Sequence, residues 1–166
     1  MTNKESLQTI SQRTGYSIST VSRVLSGKGE QYRIGRKAIE IITAEAEKCN
    51  YTPDLIAKGL RTRRTDTIGL TVPSIDNPFF ANMASGITNQ LKGHGYNILL
   101  ADSMETEAME TEALYSFLSR KVDGIIAVPV GNSPSLLESI SKSIPVVLID
   151  RYFPDTSLPY VCTDNY

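Results

Sequence analysis

Short hydrophobic runs alternate with amphipathic segments throughout residues 65–166. The runs are apolar at almost every position, which is typical of strands with both faces covered. The segments between them carry apolar residues three or four apart, the spacing of one helix face. This alternation predicts an α/β domain with a parallel sheet and helices on both faces. The predicted strands span residues 67–72, 96–101, 124–128 and 145–149, and the predicted helices span 78–94, 105–121 and 134–141.

Four-residue steps define the core-facing side of the first two predicted helices. The apolar residues at this spacing are Phe79, Met83, Ile87 and Leu91 in the first helix, where either Phe79 or Phe80 can pack in the core, and Met109, Ala113, Phe117 and Leu118 in the second. A hydrophobic fraction of 40% is enough to form a core of this kind.

A glycine and a serine separate two short amphipathic segments near the amino terminus. Gly15 can adopt the positive φ that ends a helix, and Ser17 can cap the next helix. Val21, Val24 and Leu25 form the apolar stripe of that next helix. A third helix, predicted over residues 35–49, closes a small core through Ile39, Ile42, Ala46 and Cys49. The opposite face of the second helix carries Ile18, Ser19, Thr20, Ser22 and Arg23.

This arrangement predicts a small all-α helix-turn-helix DNA-binding domain over residues 5–50. A helix with short polar side chains can approach base edges closely, and Arg23 can reach guanine in a major groove. The same two-helix hairpin also occurs in proteins that never touch DNA. The charge distribution favours DNA binding by the first domain. Residues 1–64 carry twelve Lys and Arg and six Asp and Glu, whereas residues 65–166 carry five Lys and Arg and twelve Asp and Glu.

Residues 51–64 connect the two predicted domains. Thr52 and Pro53 form a helix-start signal, so a short helix can begin there. Ala57 and Leu60 would share one face of this helix, and the leucine could wedge into a minor groove. A plain basic linker is the alternative explanation.

Three predicted loops meet at the carboxyl edge of the sheet, where ligands bind in open α/β folds. The loop after the first strand offers a helix start and two phenylalanine rings, and the loop after the fourth offers a carboxylate and a guanidinium. Helix capping, core packing and a surface ion pair are the alternative roles for these groups. The candidate ligand-binding side chains are Asn77, Pro78, Phe79, Phe80, Asp150 and Arg151, with Asp102 and Ser103 in the third loop.

Enzyme chemistry is not predicted. The phosphate-binding pattern Gly-x-Gly-x-x-Gly is absent after the first strand, and no nucleophile or acid–base pair can be assembled around His94, the single histidine. We therefore expect no cofactor and no metal site. Cys49 and Cys162 are interpreted as buried thiols of a reducing cytoplasm. No apolar run approaches the length of a membrane span.

Several motifs in this order resemble the lactose-repressor/galactose-repressor (LacI/GalR) family of transcriptional regulators. The resemblance covers almost the whole chain and rests on Ser19-Thr20-Val21-Ser22-Arg23-Val24-Leu25, Asn50-Tyr51-Thr52-Pro53, Ala57, Leu60, Thr67-Ile68-Gly69-Leu70 and Asn77-Pro78-Phe79-Phe80. It implies that residues 65–166 form the amino-terminal lobe of a periplasmic-binding-protein-like fold, which senses a small effector, expected to be a sugar or a sugar derivative.

The resemblance also implies roles on a pseudo-palindromic double-stranded operator, bound by a homodimer in the cytoplasm. Ile18, Ser19 and Arg23 would read base edges, and Leu60 would enter the minor groove. Ser17, Thr20 and Ser22 would contact phosphates, with Tyr51 and Ala57 completing the DNA-binding set. The positions matching Asn77 to Phe80 and Asp150 would bind the effector.

In the family a second lobe follows the stretch that ends here, so we expect the chain to be the amino-terminal part of a longer protein, incomplete as a sensor. Two alternatives to a repressor remain. One is a sugar-binding protein of the periplasmic type, which would need a secretion signal and no basic head. The other is an incomplete fragment without regulatory activity.

Overall fold

The computed structural model describes residues 5–52, 59 and 64–163. The chain divides into two compact units, Met1–Leu55 and Ile56–Tyr166. The hinge helix expected within residues 51–64, with Ala57 and Leu60, lies outside the described residues apart from its ends and Gly59. The two units are described separately below.

Three helices form the first unit: α1 at Leu7–Thr14, α2 at Ile18–Leu25 and α3 at Arg36–Lys48. Gly15 ends α1 with a φ of 75°, in the left-handed region that glycine tolerates best. Ser17 caps α2 by accepting a hydrogen bond from the Thr20 backbone N–H at 3.2 Å. The helices bury a common core of Ile10, Val21, Val24, Ile42 and Ala46. The third helix was predicted over residues 35–49, which is within one residue of α3 at each end.

The second unit is an α/β layer structure with a parallel sheet. Its strands lie in the order β2-β1-β3-β4-β5, and each neighbouring pair is parallel. In chain order the elements are β1 at Thr67–Val72, α4 at Pro78–Gly93, β2 at Asn97–Asp102, α5 at Glu107–Ser119, β3 at Gly124–Ala127, α6 at Ser135–Ser141, β4 at Val146–Ile149 and β5 at Tyr160–Val161. The parallel sheet, four of its strands and its three helices were predicted from the sequence.

Both faces of this sheet are covered. On one face, α5 and α6 pack through Leu114, Phe117, Leu137 and Ile140. On the other, Phe80 and Ala84 of α4 pack against Leu70, Val72 and Val128. Adjacent residues of one strand therefore enter opposite cores, which explains why the strands are apolar without alternation.

The apolar stripes at four-residue spacing only partly match the buried faces of α4 and α5. Phe80 is buried in place of Phe79, and Glu110 is buried whereas Met109 is exposed. A four-residue step exceeds one turn of 3.6 residues, so a strict four-residue stripe drifts by about 40° at each step. Over three steps one end of the stripe must leave the core. The prediction that Cys162 is buried is also wrong, because it lies exposed after the edge strand β5.

No helix in the described ranges combines the length and the apolar character needed to cross a membrane.

We expect Gly69→Ala in β1 to destabilise the α/β unit by about 1–3 kcal/mol, because an added methyl group overpacks a filled core. A Cβ at this position would overlap the Phe117 ring. Gly86→Ala in α4 is the matched control, since its Cβ would meet nothing within 4 Å. The control should stabilise the helix by about 0.5–1 kcal/mol. Urea unfolding followed by circular dichroism measures both changes, and equal stability of the two variants would contradict this packing.

Candidate functional site

The carboxyl edge of the sheet is held together by the loops that follow β1 and β2. Asp102, the last residue of β2, accepts a hydrogen bond from the Ile75 N–H at 3.1 Å and another from the Met104 N–H at 2.8 Å. The buried Ser103 donates its hydroxyl to the Val72 carbonyl at 3.2 Å. Asp102 and Ser103 are therefore both engaged with backbone, and they fix the edge where a ligand would lie.

The amino-terminal turn of α4 separates the two phenylalanines that the sequence could not distinguish. Asn77 caps the helix by accepting from the Phe79 N–H at 3.0 Å, and Pro78 occupies the first turn. The Phe80 ring is only 4% exposed and belongs to the core, whereas Phe79 is 52% exposed. The rings meet edge to face with centroids 5.2 Å apart. Phe79 is therefore the ring that can stack on a ligand.

The loop after β4 positions Asp150 and Arg151. Asp150 has a φ of 65°, and its N–H donates to the Val161 carbonyl of β5 at 2.9 Å. Arg151 makes two hydrogen bonds to the Glu105 carboxylate, at 3.0 and 3.2 Å, and its guanidinium carbon lies 5.6 Å from the Phe80 ring centroid. These hydrogen bonds, donated to the Glu105 carboxylate, raise the pKa of Arg151, so the group stays charged. The structure thus brings Arg151 and the α4 turn together.

Glu110 lies at the edge of the candidate site, and the sequence analysis did not identify it. It is 5% exposed, and one carboxylate oxygen accepts from the N–H groups of Val130 at 3.3 Å and Gly131 at 3.1 Å. The other oxygen is buried without a partner in the described part of the chain. The carboxylate fixes the loop after β3 at the same edge of the sheet. A glutamate in an amphipathic helix normally faces solvent, so no local signal marks this one.

The outer face of α2 forms a second candidate site, in the first unit. Ile18 is 48% exposed, and Ser19 and Arg23 are exposed beside it. Thr20 and Ser22 are half-buried. The hydroxyls of Ser17 and Thr20 share a hydrogen bond of 2.9 Å. This face lies opposite Val21 and Val24, as the apolar spacing predicted.

The basic side chains of this unit differ in their partners. Arg13 lies between Glu5 at 2.9 Å and Glu45 at 3.4 Å, and the hydrogen bond that it donates to the Glu5 carboxylate raises the pKa of Arg13. Arg36 pairs with Glu40 at 3.3 Å on the surface. Arg23 instead lies over the ring of Tyr32, with its guanidinium carbon 4.1 Å from the ring centroid.

Tyr51, also predicted to contact DNA, is half-buried against the three-helix core. Its backbone N–H donates to the Ala46 carbonyl at 2.9 Å. Ala57 and Leu60 of the same predicted set lie outside the described residues. Across residues 5–52, 59 and 64–163, no three His, Cys, Asp or Glu side chains converge as metal ligands would.

Known proteins share this architecture. The family of periplasmic binding proteins and sugar-binding domains of the LacI family matches residues 65–166. A transcriptional regulator of the LacI family from Silicibacter pomeroyi superposes with a TM-score of 0.76 at 25% identity, over 95% of this chain and 47% of that one. The lac repressor dimer bound to operator and the anti-inducer ONPF superposes with a TM-score of 0.78 at 19% identity, over 95% and 48%, a likeness of fold.

Sequence relatives are transcription regulators by name. The sucrose operon repressor of Klebsiella pneumoniae is 32% identical over 99% of this chain and 49% of its own length. The ribose operon repressor of Bacillus subtilis is 36% identical over 96% and 47%. The chain spans about half the length of the curated relatives it matches.

The fold and these matches define the second unit as an α/β domain of the periplasmic-binding-protein class. The chain belongs to the LacI family.

Burial raises the pKa of Glu110, with a smaller contribution in the same direction from Glu107. The folded protein therefore holds this proton more tightly than the unfolded chain, and the free energy of unfolding falls as pH rises above the ordinary glutamate pKa of about 4.3. The Glu110→Gln variant has no carboxylate at this position, so its free energy of unfolding does not fall with pH for this reason. We expect the stability of the variant relative to wild type to increase between pH 4 and pH 7.5 in urea unfolding.

The exposed Glu112 on the same helix provides a matched control. Glu112→Gln should track wild type at both pH values. A stability difference between Glu110→Gln and wild type that stays constant with pH would show that the buried carboxylate does not titrate in this way.

Proposed function

We propose that the chain is a sequence-specific DNA-binding transcriptional repressor whose operator binding is controlled by a sugar or sugar derivative. The observation that carries this proposal is the outer face of α2, where Ile18, Ser19 and Arg23 are exposed on a helix fixed by its opposite side to a core. The LacI-family α/β unit and the repressor names of the relatives support it.

The first unit acts as a helix-turn-helix domain in this proposal. α2 enters the major groove, Arg23 donates to guanine O6 and N7, and Ile18 and Ser19 contact neighbouring base edges. Ser17, Thr20 and Ser22 lie at its flanks, near the phosphates. The Ser17–Thr20 pair contains two hydroxyl protons but only one is used within the pair, so the other can be donated to a phosphate oxygen.

Residues 51–64 would complete DNA binding as a hinge. Tyr51 leads from the three-helix core into this segment, and Ala57 and Leu60 would present an apolar face to a minor groove. Two copies of the chain would bind a pseudo-palindromic operator, because a two-fold dimer matches two half-sites. The protein would act in the cytoplasm, where the DNA is, without a cofactor.

The effector would bind at the carboxyl edge of the sheet. The Asp150 carboxylate can accept two sugar hydroxyls, and Phe79 offers an exposed ring to the apolar face of a sugar. Arg151 is oriented by Glu105 and can donate to a hydroxyl or an anionic group, with Phe80 packed beneath it. Asn77 and Pro78 hold the turn that presents Phe79.

Effector control would operate through differential affinity. A sugar that binds one arrangement of the protein more tightly shifts the population toward it, and DNA affinity changes by the same coupling free energy. Sugar binding without DNA binding is the second candidate, since the matched family includes periplasmic binding proteins. The two functions are separated by whether the chain selects a duplex from random DNA.

Arg23→Ala should weaken binding to the selected duplex by about 1–3 kcal/mol and relax the sequence preference at one base pair of each half-site. The loss comes from the two hydrogen bonds to guanine. Fluorescence anisotropy with matched and single-substituted duplexes measures both effects. Arg36→Ala is the control, because Arg36 pairs with Glu40 at the start of α3. Unchanged affinity of the Arg23 variant at every base pair would remove this residue from the interface.

Asp150→Asn should abolish sugar binding while the fold is retained. Asparagine tolerates the left-handed backbone of this position and keeps the shape of the side chain, but it carries no charge and accepts fewer hydroxyls. Saturation-transfer NMR with a panel of monosaccharides and sugar phosphates detects weak binding to the chain. Asp155→Asn, on the loop that follows, is the control and should bind like wild type. Equal signals from wild type and Asp150→Asn would place the effector elsewhere.

A further inference from the structure

We propose that Tyr32 is a positioning residue for DNA readout, which orients the guanidinium of Arg23 toward the base edges. The inference rests on the DNA-binding function proposed above and adds a residue from the loop between α2 and α3. Tyr32 is not among the DNA-binding residues implied by the family resemblance. It also lies outside the helices, so helix periodicity assigns it no role.

The contact joins an exposed cation to an exposed ring. The guanidinium carbon of Arg23 lies 4.1 Å from the Tyr32 ring centroid, and the tyrosine is 48% exposed. At this distance the negative face of the ring attracts the cation. A guanidinium can stack its face on an aromatic ring, and its N–H groups, which lie in its plane, then remain able to donate.

The loop that carries Tyr32 is fixed by its own hydrogen bonds. The Lys28 N–H donates to the Arg23 carbonyl at 2.9 Å, and the Tyr32 N–H donates to the Lys28 carbonyl at 3.1 Å. The Ile34 N–H closes the loop on the Gly29 carbonyl at 2.9 Å. The loop therefore starts from the same turn of α2 that carries Arg23.

Gly29 anchors the loop to α3. It is buried against α3, where a Cβ would stand 2.9 Å from the Cδ1 end of the Ile39 side chain, which would have to move to admit it. Because the loop is attached at both α2 and α3, the ring occupies a defined place beside Arg23. A cation–ring contact made by such a loop restricts the arginine before DNA arrives.

A ring has an advantage over a carboxylate as the partner of a reading arginine. Arg13 donates to Glu5 and Glu45, so two of its N–H groups are occupied and its charge is compensated. Within the described residues, Arg23 has no such ion pair or side-chain hydrogen bond, and its guanidinium lies over the Tyr32 ring. The ring thus restricts the side chain without consuming the donors that guanine needs or cancelling the charge that attracts phosphates.

The expected effect on binding is modest and specific. An exposed cation–ring contact accounts for about a two- to fivefold change in an equilibrium constant. Loss of the ring returns rotational freedom to Arg23, which must then be lost on binding. Only complexes in which Arg23 contacts a guanine should bind more weakly for this reason. Binding to non-specific duplexes, which depends on net charge, should stay the same.

The test uses the whole 166-residue chain and a duplex selected from random DNA by the wild-type protein. Dissociation constants are measured for the selected and a scrambled duplex. Tyr32→Ala and Tyr32→Leu should bind the selected duplex about two- to fivefold more weakly and the scrambled duplex equally well. Tyr32→Phe should restore wild-type affinity because the ring is kept. Gln31→Ala, the exposed neighbour, is the matched control and should change nothing.

A double-mutant cycle separates positioning from a general role in folding. In an Arg23→Ala background, Tyr32→Ala should cause no further loss, because the group it orients is gone. The proposal is overturned if Tyr32→Ala acts equally in both backgrounds, weakens both duplexes alike, or leaves selected-duplex affinity unchanged. If the wild-type chain prefers no duplex over the scrambled one, the DNA-binding function itself fails, and this inference with it.

Discussion

Carboxylates that accept hydrogen bonds from backbone N–H groups fix the edges of the α/β unit. Asp123 accepts from the N–H groups of Thr65 at 2.8 Å and Asp66 at 2.9 Å and so sets where the chain enters β1. Asp102 and Glu110 do the same for loops at the opposite, carboxyl edge. Hydrogen bonds of this kind are stronger than those between neutral groups. Asp102 thereby holds the loop that leads to the candidate effector residue Asn77, whereas Asp150 is held through its N–H, which donates to the Val161 carbonyl of β5.

Much of the fold could be predicted because the strand and helix periods are local properties of the sequence. The same reasoning failed where position depends on distant contacts. β5 has two residues and no pattern of its own, and it exists because Leu148 and Ile149 pair with it. Whether Phe79 or Phe80 faces the core depends on where the first turn of α4 meets the sheet, which periodicity cannot resolve within one residue.

The candidate sites, like the fold, could be predicted only in part from the sequence. The exposed face of α2 followed from the spacing of Val21 and Val24, with Gly15 and Ser17 marking its start. The partners of the polar residues did not follow, since Ser103 turns inward to a backbone carbonyl. Contacts made across a loop are equally hidden from pattern reasoning, because no residue spacing relates the two side chains. The exposed helix face could therefore be predicted from the sequence, whereas the side-chain contacts at the sites required the structure.

The central claim is that the basic first unit recognises a particular DNA sequence. Selection of bound sites from a random duplex library by the whole chain at low ionic strength, followed by sequencing, tests it most directly. The account predicts enrichment of one inverted repeat whose half-sites contain a fixed guanine. A pool that remains random after repeated selection would contradict it.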